Sequence, residues 1–322
     1  MAKSSGSHDN NGHEHDSAEG HRAQAHDPFD AGHLIAHVKD ATYFEVPRML
    51  SGGTGKWAIP QIRNSPEPIA TISVGFKPVD DMIEPFEGKL TKFMVLEVVA
   101  ATLVAFVFIR LAGQMKGGER PRGRVWNMLE ALLVFIRDEV ARPCIGEHEA
   151  KKFLPLIWTL FFFVLGCNLL GLVPWLGSPT GALATTGTLA MITFLCVIGA
   201  GMAKMGPVGF WFAQVPSMEL PLPLAIVLKP MIFAIEVMGL FIKHFVLAMR
   251  LLANMTAGHL VLAVLLAFIA ASWQSMAVWG VAPASILGAT AFSMLELFVA
   301  FLQAYIFAFL TALFIGMAVH PH

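Results

Sequence analysis

The sequence predicts an all-α polytopic membrane protein with about five membrane helices, and two observations carry this prediction. Of the 322 residues, 56% are hydrophobic and only 14% are charged, whereas soluble domains average about 45–50% and about 25%. Five apolar runs follow residue 90, and they cover 93–109, 153–173, 183–203, 230–271 and 281–319. A bilayer core of about 30 Å takes about 20 helical residues, so each run is long enough to cross it. A water-soluble fold is therefore excluded for most of the chain.

The last two runs are about twice as long as one membrane crossing requires. Each stays apolar for roughly 40 residues, which as a single helix is about 60 Å at 1.5 Å per residue. Both runs must therefore lie steeply tilted, bend, or break into two helices.

The first 89 residues are more polar than the rest. Residues 1–40 hold seven of the 12 histidines, without any regular ligand spacing. Because such a stretch buries too little apolar surface to offset its ordering entropy, we predict a disordered tail. Six prolines punctuate 41–89, which predicts an irregular extracytoplasmic segment. Neither here nor elsewhere does the sequence predict a metal or cofactor site.

The charge of the connections predicts the orientation. Nine Lys or Arg residues lie within 110–152, whereas 174–184 and 271–284 carry no charged residue. By the positive-inside rule, 110–152 faces the cytoplasm and the other two connections face outward. This predicts a multi-pass protein of the cell inner membrane with an extracytoplasmic N-terminus and a cytoplasmic C-terminus. The net charge of -1 gives no basic excess that would suggest a nucleic acid partner.

Residues 120–145, within the cytoplasmic connection, predict an amphipathic helix that lies on the membrane surface. One face carries charged side chains, among them Arg124, Glu130, Arg137 and Asp138. One charged and one apolar face are typical of an anchor or a partner surface rather than a span. The apolar positions recur at helical spacing and are Val125, Met128, Leu129, Leu132, Leu133, Ile136 and Val140.

Polar side chains inside the last two runs give the functional signal. A charge at mid-bilayer costs at least about 2.5–3.5 kcal/mol, so each such residue is a functional candidate. Residues seven apart lie on one helical stripe, which places Glu236, Lys243 and Arg250 together. The candidates on the fourth run are Glu236, Lys243, Arg250, Asn254 and His259, and those on the fifth are Glu296 and Gln303.

Two interpretations of these residues remain open at this point. They can pin two helices together by pairing with each other, as buried polar groups do in membrane bundles. Pinning leaves Arg250 without an acid one turn away in its own stripe, which favours a partner on another subunit. Arginine does not release its proton, whereas imidazole and carboxyl groups do. The layout therefore also fits two proton half-paths separated by a cationic block.

Several stretches together identify a family. The stretch 250–259, Arg-Leu-Leu-Ala-Asn-Met-Thr-Ala-Gly-His, closely resembles the signature of the a subunit of F-type ATP synthase. Stretches 135–143, 168–174, 229–236 and 303–311 agree with that family in order and spacing. The resemblance covers about residues 90–318, which predicts that 90–319 form the membrane domain.

The resemblance implies a fold and a role for the candidate residues. The last two helices, over 222–319, are expected to form a strongly tilted hairpin against a rotating ring of c subunits. The position matching Arg250 attracts the ring carboxylate and blocks a direct proton leak. The positions matching Asn254, His259, Glu296 and Gln303 belong to the outer path and the Arg neighbourhood, and that matching Glu236 belongs to the cytoplasmic path. Lys243 and His244 are secondary candidates.

The b subunits of the peripheral stalk and membrane lipid are further expected partners, and ATP chemistry is expected on other subunits.

The sequence departs from the common bacterial pattern in three places. His259 and Glu296 are exchanged relative to the usual Glu and His order, which keeps one acid and one imidazole across the helix pair. His244 stands where a proline is frequent. The stretch 178–186 lacks the Asp or Asn often found there, so no entrance role is assigned to it.

Three other classes of protein would show different features. A self-contained proton-coupled transporter is expected to show paired halves, and the sequence has no internal repeat. An intramembrane protease would need a motif such as His-Glu-x-x-His, which is not present in the sequence. A structural membrane scaffold would tolerate the loss of Arg250, so proton flux in the assembled complex separates it from a channel.

Overall fold

The computed structural model describes residues 41–45, 56–61, 90–115, 123–173, 176–214, 222–273 and 275–320. The predicted tail at 1–40 and most of 41–89 lie outside these residues. Within 41–89, β1 (Tyr43–Glu45) and β2 (Lys56–Ala58) pair antiparallel, with Phe44 opposite Trp57. The Gln61 side chain exchanges two hydrogen bonds of 2.9 and 3.0 Å with the Leu90 backbone, which fixes this strand pair to the start of the first helix.

The described residues are otherwise helical. The helices are α1 (Lys92–Met115), α2 (Arg124–Phe135), α3 (Arg142–Ile145), α4 (Glu147–Gly171), α5 (Leu183–Met205), α6 (Pro207–Ala213), α7 (Leu222–Ser272) and α8 (Val278–Val319). Five of them, α1, α4, α5, α7 and α8, are long and apolar enough to cross a membrane. The predicted all-α membrane fold with about five spans is confirmed.

The two last helices are each continuous. Helix α7 has 51 residues and α8 has 42, which correspond to about 77 Å and about 63 Å. Neither breaks in two, although Pro230 and Pro283 lie inside them. Of the three predicted solutions to their excess length, tilting and bending are the two that this continuity allows, and tilt stays a prediction. The two helices pack against each other.

A stripe of small side chains lets α8 approach its neighbours. Ala300, Ala304, Ala308 and Ala312 stand four residues apart and are buried, so they form one face of the helix. Small residues at helix interfaces in membranes allow close backbone approach and dispersion contacts. Helices α4, α5 and α7 all pack against α8, which makes α8 the centre of the bundle.

The surface segment 120–145 differs from the single helix that was predicted. Helix α2 is followed by a π-helical segment, Ile136–Ala141, and then by α3. A proline ring clashes with the carbonyl four residues earlier in a regular α-helix, so Pro143 accounts for the widened turn before it. Ile136 and Val140 are fully buried, whereas Val125 is exposed. The apolar face therefore joins the core at its C-terminal part and faces outward at the start of α2.

Charged residues cluster along this segment. The Arg137 guanidinium donates two hydrogen bonds, of 2.8 and 2.9 Å, to the Asp138 carboxylate, and Arg142 lies 2.7 Å from the same group. The hydrogen bond from Arg137 lowers the pKa of Asp138. A lowered carboxyl pKa adds stability at neutral pH that is lost as the pH falls through it, and the exposure of these groups keeps the contribution small.

Contacts at this end of the bundle show that the spanning helices alternate in direction. Lys204, at the end of α5, forms a 2.5 Å ion pair with Glu149 at the start of α4. The His320 ring, just after α8, lies 3.2 Å from the Ile145 carbonyl oxygen. The C-terminal ends of α5 and α8 therefore lie beside the N-terminal end of α4, as successive crossings require.

Gly316 of α8 makes a very close approach to the backbone at this end of the bundle, and a prediction follows from it. A Cβ atom at this position would overlap the backbone carbonyl of Cys144. Gly316→Ala is expected to destabilise the protein by about 1–3 kcal/mol or more, because a backbone carbonyl has little freedom to move away. The measurement is the thermal unfolding midpoint of the purified protein in detergent, with Gly199→Ala as the control because a Cβ there meets nothing within 4 Å. Equal midpoints for the two variants would show that α8 and α3 are not held in this contact.

Candidate functional site

The candidate site lies where α7 packs against α8. Asn254 of α7 donates a 2.8 Å hydrogen bond from Nδ2 to Oε1 of Gln303 on α8. Gln303 is buried, and its own Nε2 has no hydrogen-bond partner among the described residues. Two residues that the sequence singled out on separate helices are thus in direct contact.

Glu296 lies on α8 two turns before Gln303, against a glycine of the opposite helix. Its side chain is 5% exposed, and a Cβ at Gly258 would overlap its Oε1 atom. Both carboxyl oxygens are buried and, within the part of the chain described, form no hydrogen bond. Gly258 therefore provides the space in which the Glu296 carboxyl is held. No described residue of α7 forms a hydrogen bond with this carboxyl.

His259 directly follows Gly258 on α7. Its Nε2 atom is buried and has no hydrogen-bond partner in the described structure, and no ion pair or hydrogen bond among those residues joins it to Glu296. The alternative in which His259 and Glu296 pin the helices by pairing with each other has no support from this geometry.

A small cavity lies between α4, α7 and α8 at this site. It measures about 10 Å³, which is room for about one water molecule. The lining residues are Asn168, Asn254, Met255, Glu296, Val299, Ala300 and Gln303. A carboxyl and three amides therefore share one water-sized space inside the helix bundle.

Asn168 of α4 belongs to this site, and the sequence analysis did not select it by itself. It is fully buried and donates a 3.2 Å hydrogen bond from Nδ2 to the Ala300 carbonyl. Its Oδ1 accepts a 2.8 Å hydrogen bond from the Thr180 hydroxyl. An amide inside an otherwise apolar run is the signal that could have selected it, as it selected Asn254 and Gln303.

Arg250 lies on α7 one turn before Asn254. It is partly buried, and among the described residues its guanidinium forms no ion pair or hydrogen bond. The four positions from Arg250 to Asn254 correspond to about 6 Å along the helix axis, and Asn254 lines the polar cavity. A fixed positive charge inside a membrane helix is thus left without an anionic partner in the described part of this chain.

The remaining candidates lie away from this cavity. Glu236 is partly buried and Lys243 is exposed, and Glu236 precedes Arg250 by 14 residues, or about 21 Å along the helix. His244 is buried, donates a 2.9 Å hydrogen bond from Nδ1 to the Leu240 carbonyl and packs against the rings of Phe194 and Phe314. The structure does not bring these three residues into the Asn254–Gln303 cluster, and their roles stay predictions.

These features define a class of protein. Carboxyl, imidazole and amide side chains lie within membrane helices beside an unpaired arginine, as in membrane proteins that move ions. The described residues include no group of three or more His, Cys, Asp or Glu that could hold a metal ion.

Comparison with known proteins gives the family. The family model described as the ATP synthase A chain matches residues 94–316. ATP synthase subunit a of Myxococcus xanthus is 42% identical over 236 residues, which is 72% of this chain and 75% of the relative. The subunit of Chloroherpeton thalassium is 40% identical over 73% of this chain and 68% of its own. That of Anaeromyxobacter dehalogenans strain 2CP-C is 34% identical over 96% of this chain and 75% of its own. The chain belongs to the ATP synthase A chain family, as the sequence resemblance predicted.

The contact between Gly258 and Glu296 generates a prediction. Gly258→Ala is expected to push the Glu296 carboxyl out of its position at a cost of about 1–3 kcal/mol, and a cost of about 1.4 kcal/mol in a rate-limiting step slows it about tenfold. ATP-driven proton pumping in membrane vesicles that carry the assembled complex measures the effect. The control is Gly288→Ala on α8, where a Cβ meets only Leu265 at 3.8 Å. Pumping that is equally fast in both variants would show that the position of Glu296 is not critical.

The Asn254–Gln303 hydrogen bond generates a second prediction. Asn254→Leu keeps the size of the side chain but leaves the buried Gln303 amide without its partner, a loss worth about 1–3 kcal/mol. The thermal midpoint of the purified protein is expected to fall accordingly, and Asn254→Gln, whose amide can reach the same partner, is expected to fall less. Identical midpoints for the leucine and glutamine variants would contradict a contribution of this bond.

Proposed function

We propose that this chain is the stationary proton-channel subunit of a rotary F-type ATP synthase. It provides two offset half-channels that pass protons to and from the carboxylates of a rotating c ring, and Arg250 blocks the short circuit between them. The observation that carries the proposal is Arg250, which has no anionic partner among the described residues and lies one turn before Asn254, a residue that lines the cavity with Glu296 and Gln303. The relatives reported above are named ATP synthase subunit a, in agreement with this role.

The arginine requires a partner outside the chain. A guanidinium does not lose its proton at any accessible pH, so Arg250 cannot reduce its cost in the membrane by becoming neutral. Its charge is compensated when an ionised carboxyl passes beside it. Carboxylates on a neighbouring rotor supply this charge one after another, and the same positive charge repels protons that would cross directly between the two sides.

The cavity residues form the path on the outer side. Glu296 lines the cavity and His259 follows Gly258 on the facing helix, and the Glu296 carboxyl oxygens and His259 Nε2 are buried without hydrogen-bond partners among the described residues. A group already held by strong hydrogen bonds exchanges its proton less readily than one that is free. Asn254 and Gln303, joined to each other, fix the two helices around this exchange site. The exchanged positions of His and Glu, relative to the common bacterial pattern, preserve one acid and one imidazole.

The path on the cytoplasmic side begins at Glu236. Its distance of about 21 Å along α7 from Arg250 places it toward the opposite end of the helix from His259. Lys243 and His244 lie between Glu236 and Arg250 and act as secondary groups. A proton that descends 100 mV releases about 2.3 kcal/mol, and rotation adds several such steps for each ATP.

The proposal includes the setting of the subunit. Its partners are the c ring, the b subunits of the peripheral stalk and membrane lipid, and the chemistry of ATP takes place on other subunits. It lies in the cell inner membrane with its N-terminus outside and its C-terminus in the cytoplasm, because the basic connection is at 110–152. The c ring contacts the hairpin of α7 and α8.

Substitution of Arg250 tests the proposal. Arg250→Ala is expected to reduce ATP-driven proton pumping in vesicles to background while the complex still assembles, because the ring carboxylate loses its counter-charge. Passive proton leak through the membrane sector is measured in the same vesicles, and an increase identifies the block as electrostatic.

The control removes an arginine that lies elsewhere. Arg110, exposed in α1 and 5.5 Å from the Phe106 ring, is replaced in Arg110→Ala, which is expected to pump normally. Pumping by an assembled Arg250→Ala complex at the unmodified rate would make Arg250 a structural charge, and the chain would then be a scaffold rather than a channel.

A further inference from the structure

Glu97 is a carboxyl inside a membrane helix that the proposed paths do not use. It lies in α1, five residues after the helix begins, and is partly buried. Its Oε1 accepts a 2.5 Å hydrogen bond from the hydroxyl of Thr185, the third residue of α5. An ionisable side chain within a span is costly, and a neutral side chain would join two helices at less cost.

Buried hydroxyl groups lie in the turn that precedes α5. The Ser178 and Thr180 hydroxyls lie 2.7 Å apart, in and beside the short turn Pro179–Gly181. Thr180 in turn donates to Asn168, which lines the cavity of Glu296. The turn contacts α1, α4, α5 and α7. Thr185, the partner of Glu97, therefore follows by five residues a hydroxyl group that is hydrogen-bonded to the candidate site.

Two electrostatic relations support this connection. The Cys167 thiol of α4 lies within electrostatic range of Glu97, and the next residue is Asn168. Lys92, at the start of α1, lies within electrostatic range of His259 on α7. Of the groups near Glu97, the titratable Cys167 thiol comes from α4, while α5 contributes the neutral Thr185.

We propose that Glu97 is the proton-collecting carboxyl at the outer mouth of the path. The carboxylate accepts a proton from outside water, and the resulting acid releases that proton to water on the Thr185 side, so the group returns to its starting charge. Water between the Thr185 and Thr180 hydroxyls carries the proton onward to the cavity of Glu296. The stretch 178–186 has no acidic side chain of its own, and α1 supplies the acid instead. This inference rests on the proposed function.

The experiment measures ATP synthesis by the whole complex in liposomes. An imposed pH difference and membrane potential drive the synthesis, and the pH on the proton-supplying side is varied while the total driving force is held constant. Glu97→Gln retains an acceptor for Thr185 but cannot bind a transferable proton. Its rate is expected to fall by about tenfold or more at high supplying-side pH, where proton capture limits the rate, and to recover at low pH.

Two further variants separate proton collection from a structural contact. Thr185→Val removes the hydrogen bond but keeps the collecting carboxyl, so any loss of rate it causes should be the same at every pH, without the selective loss at high supplying-side pH that is expected of Glu97→Gln. Glu97→His keeps a titratable group with a higher ordinary pKa, so the pH at which the rate declines should move upward. Glu97→His also tests the role of the Glu97 carboxyl if the Glu97→Gln complex does not assemble.

The outcomes that overturn the inference are distinct from those that overturn the proposed function. A Glu97→Gln rate equal to the unmodified rate at every pH, or a loss that is the same at every pH and is reproduced by Thr185→Val, shows that Glu97 is structural. An unmoved profile in Glu97→His overturns it equally. Arg250→Ala is assayed in parallel. If Arg250→Ala is inactive while Glu97→Gln is normal, the proposed channel function stands and only the entrance role of Glu97 is overturned.

Discussion

The packing of α7 on α8 around Gly258 is the constraint on which the site depends. The absence of a side chain at this position leaves room for the Glu296 carboxyl between the two backbones. A larger residue would displace the Glu296 carboxyl from this position. Because lipid supplies no hydrophobic drive between helices, such contacts depend on shape and on a few polar bonds. One small residue thus determines the location of the acid.

Small residues allow close helix contacts at three places in the bundle, and the groups in contact differ. Gly316 brings α8 against the backbone of Cys144, and four alanines let α8 lie close to its neighbours. These contacts are apolar and hold the helix in place. Gly258 is different, because the group it admits is polar and unsatisfied among the described residues. A buried acid without a hydrogen bond among the described residues therefore lies on the same helix as these close apolar contacts.

The spans and the residues Arg250, Asn254 and Gln303 were predictable from the sequence, since polar groups are conspicuous within apolar runs. The contact between Asn254 and Gln303 was not, because periodicity gives the face of each helix but not the axial alignment of two helices. The role of Gly258 depends on a side chain 38 positions away and has no local signature. Hydropathy also cannot distinguish one long tilted helix from two short ones, so the continuity of α7 required the structure. The interruption after α2 had a local signal in Pro143, which the amphipathic pattern concealed.

The unbroken length of α7 and α8 has a mechanical consequence. A rotor that turns under load pushes sideways on whatever faces it, and a helix with a joint yields at the joint. Helix α7 contains no proline over residues 231–272, so under the proposed function a sideways force at Arg250 is distributed along this part of the helix and into α8. The subunit would then act as a stiff beam, with elastic energy stored in more compliant parts of the complex. A glycine-rich hinge near the middle of α7 would make the stator itself act as a spring.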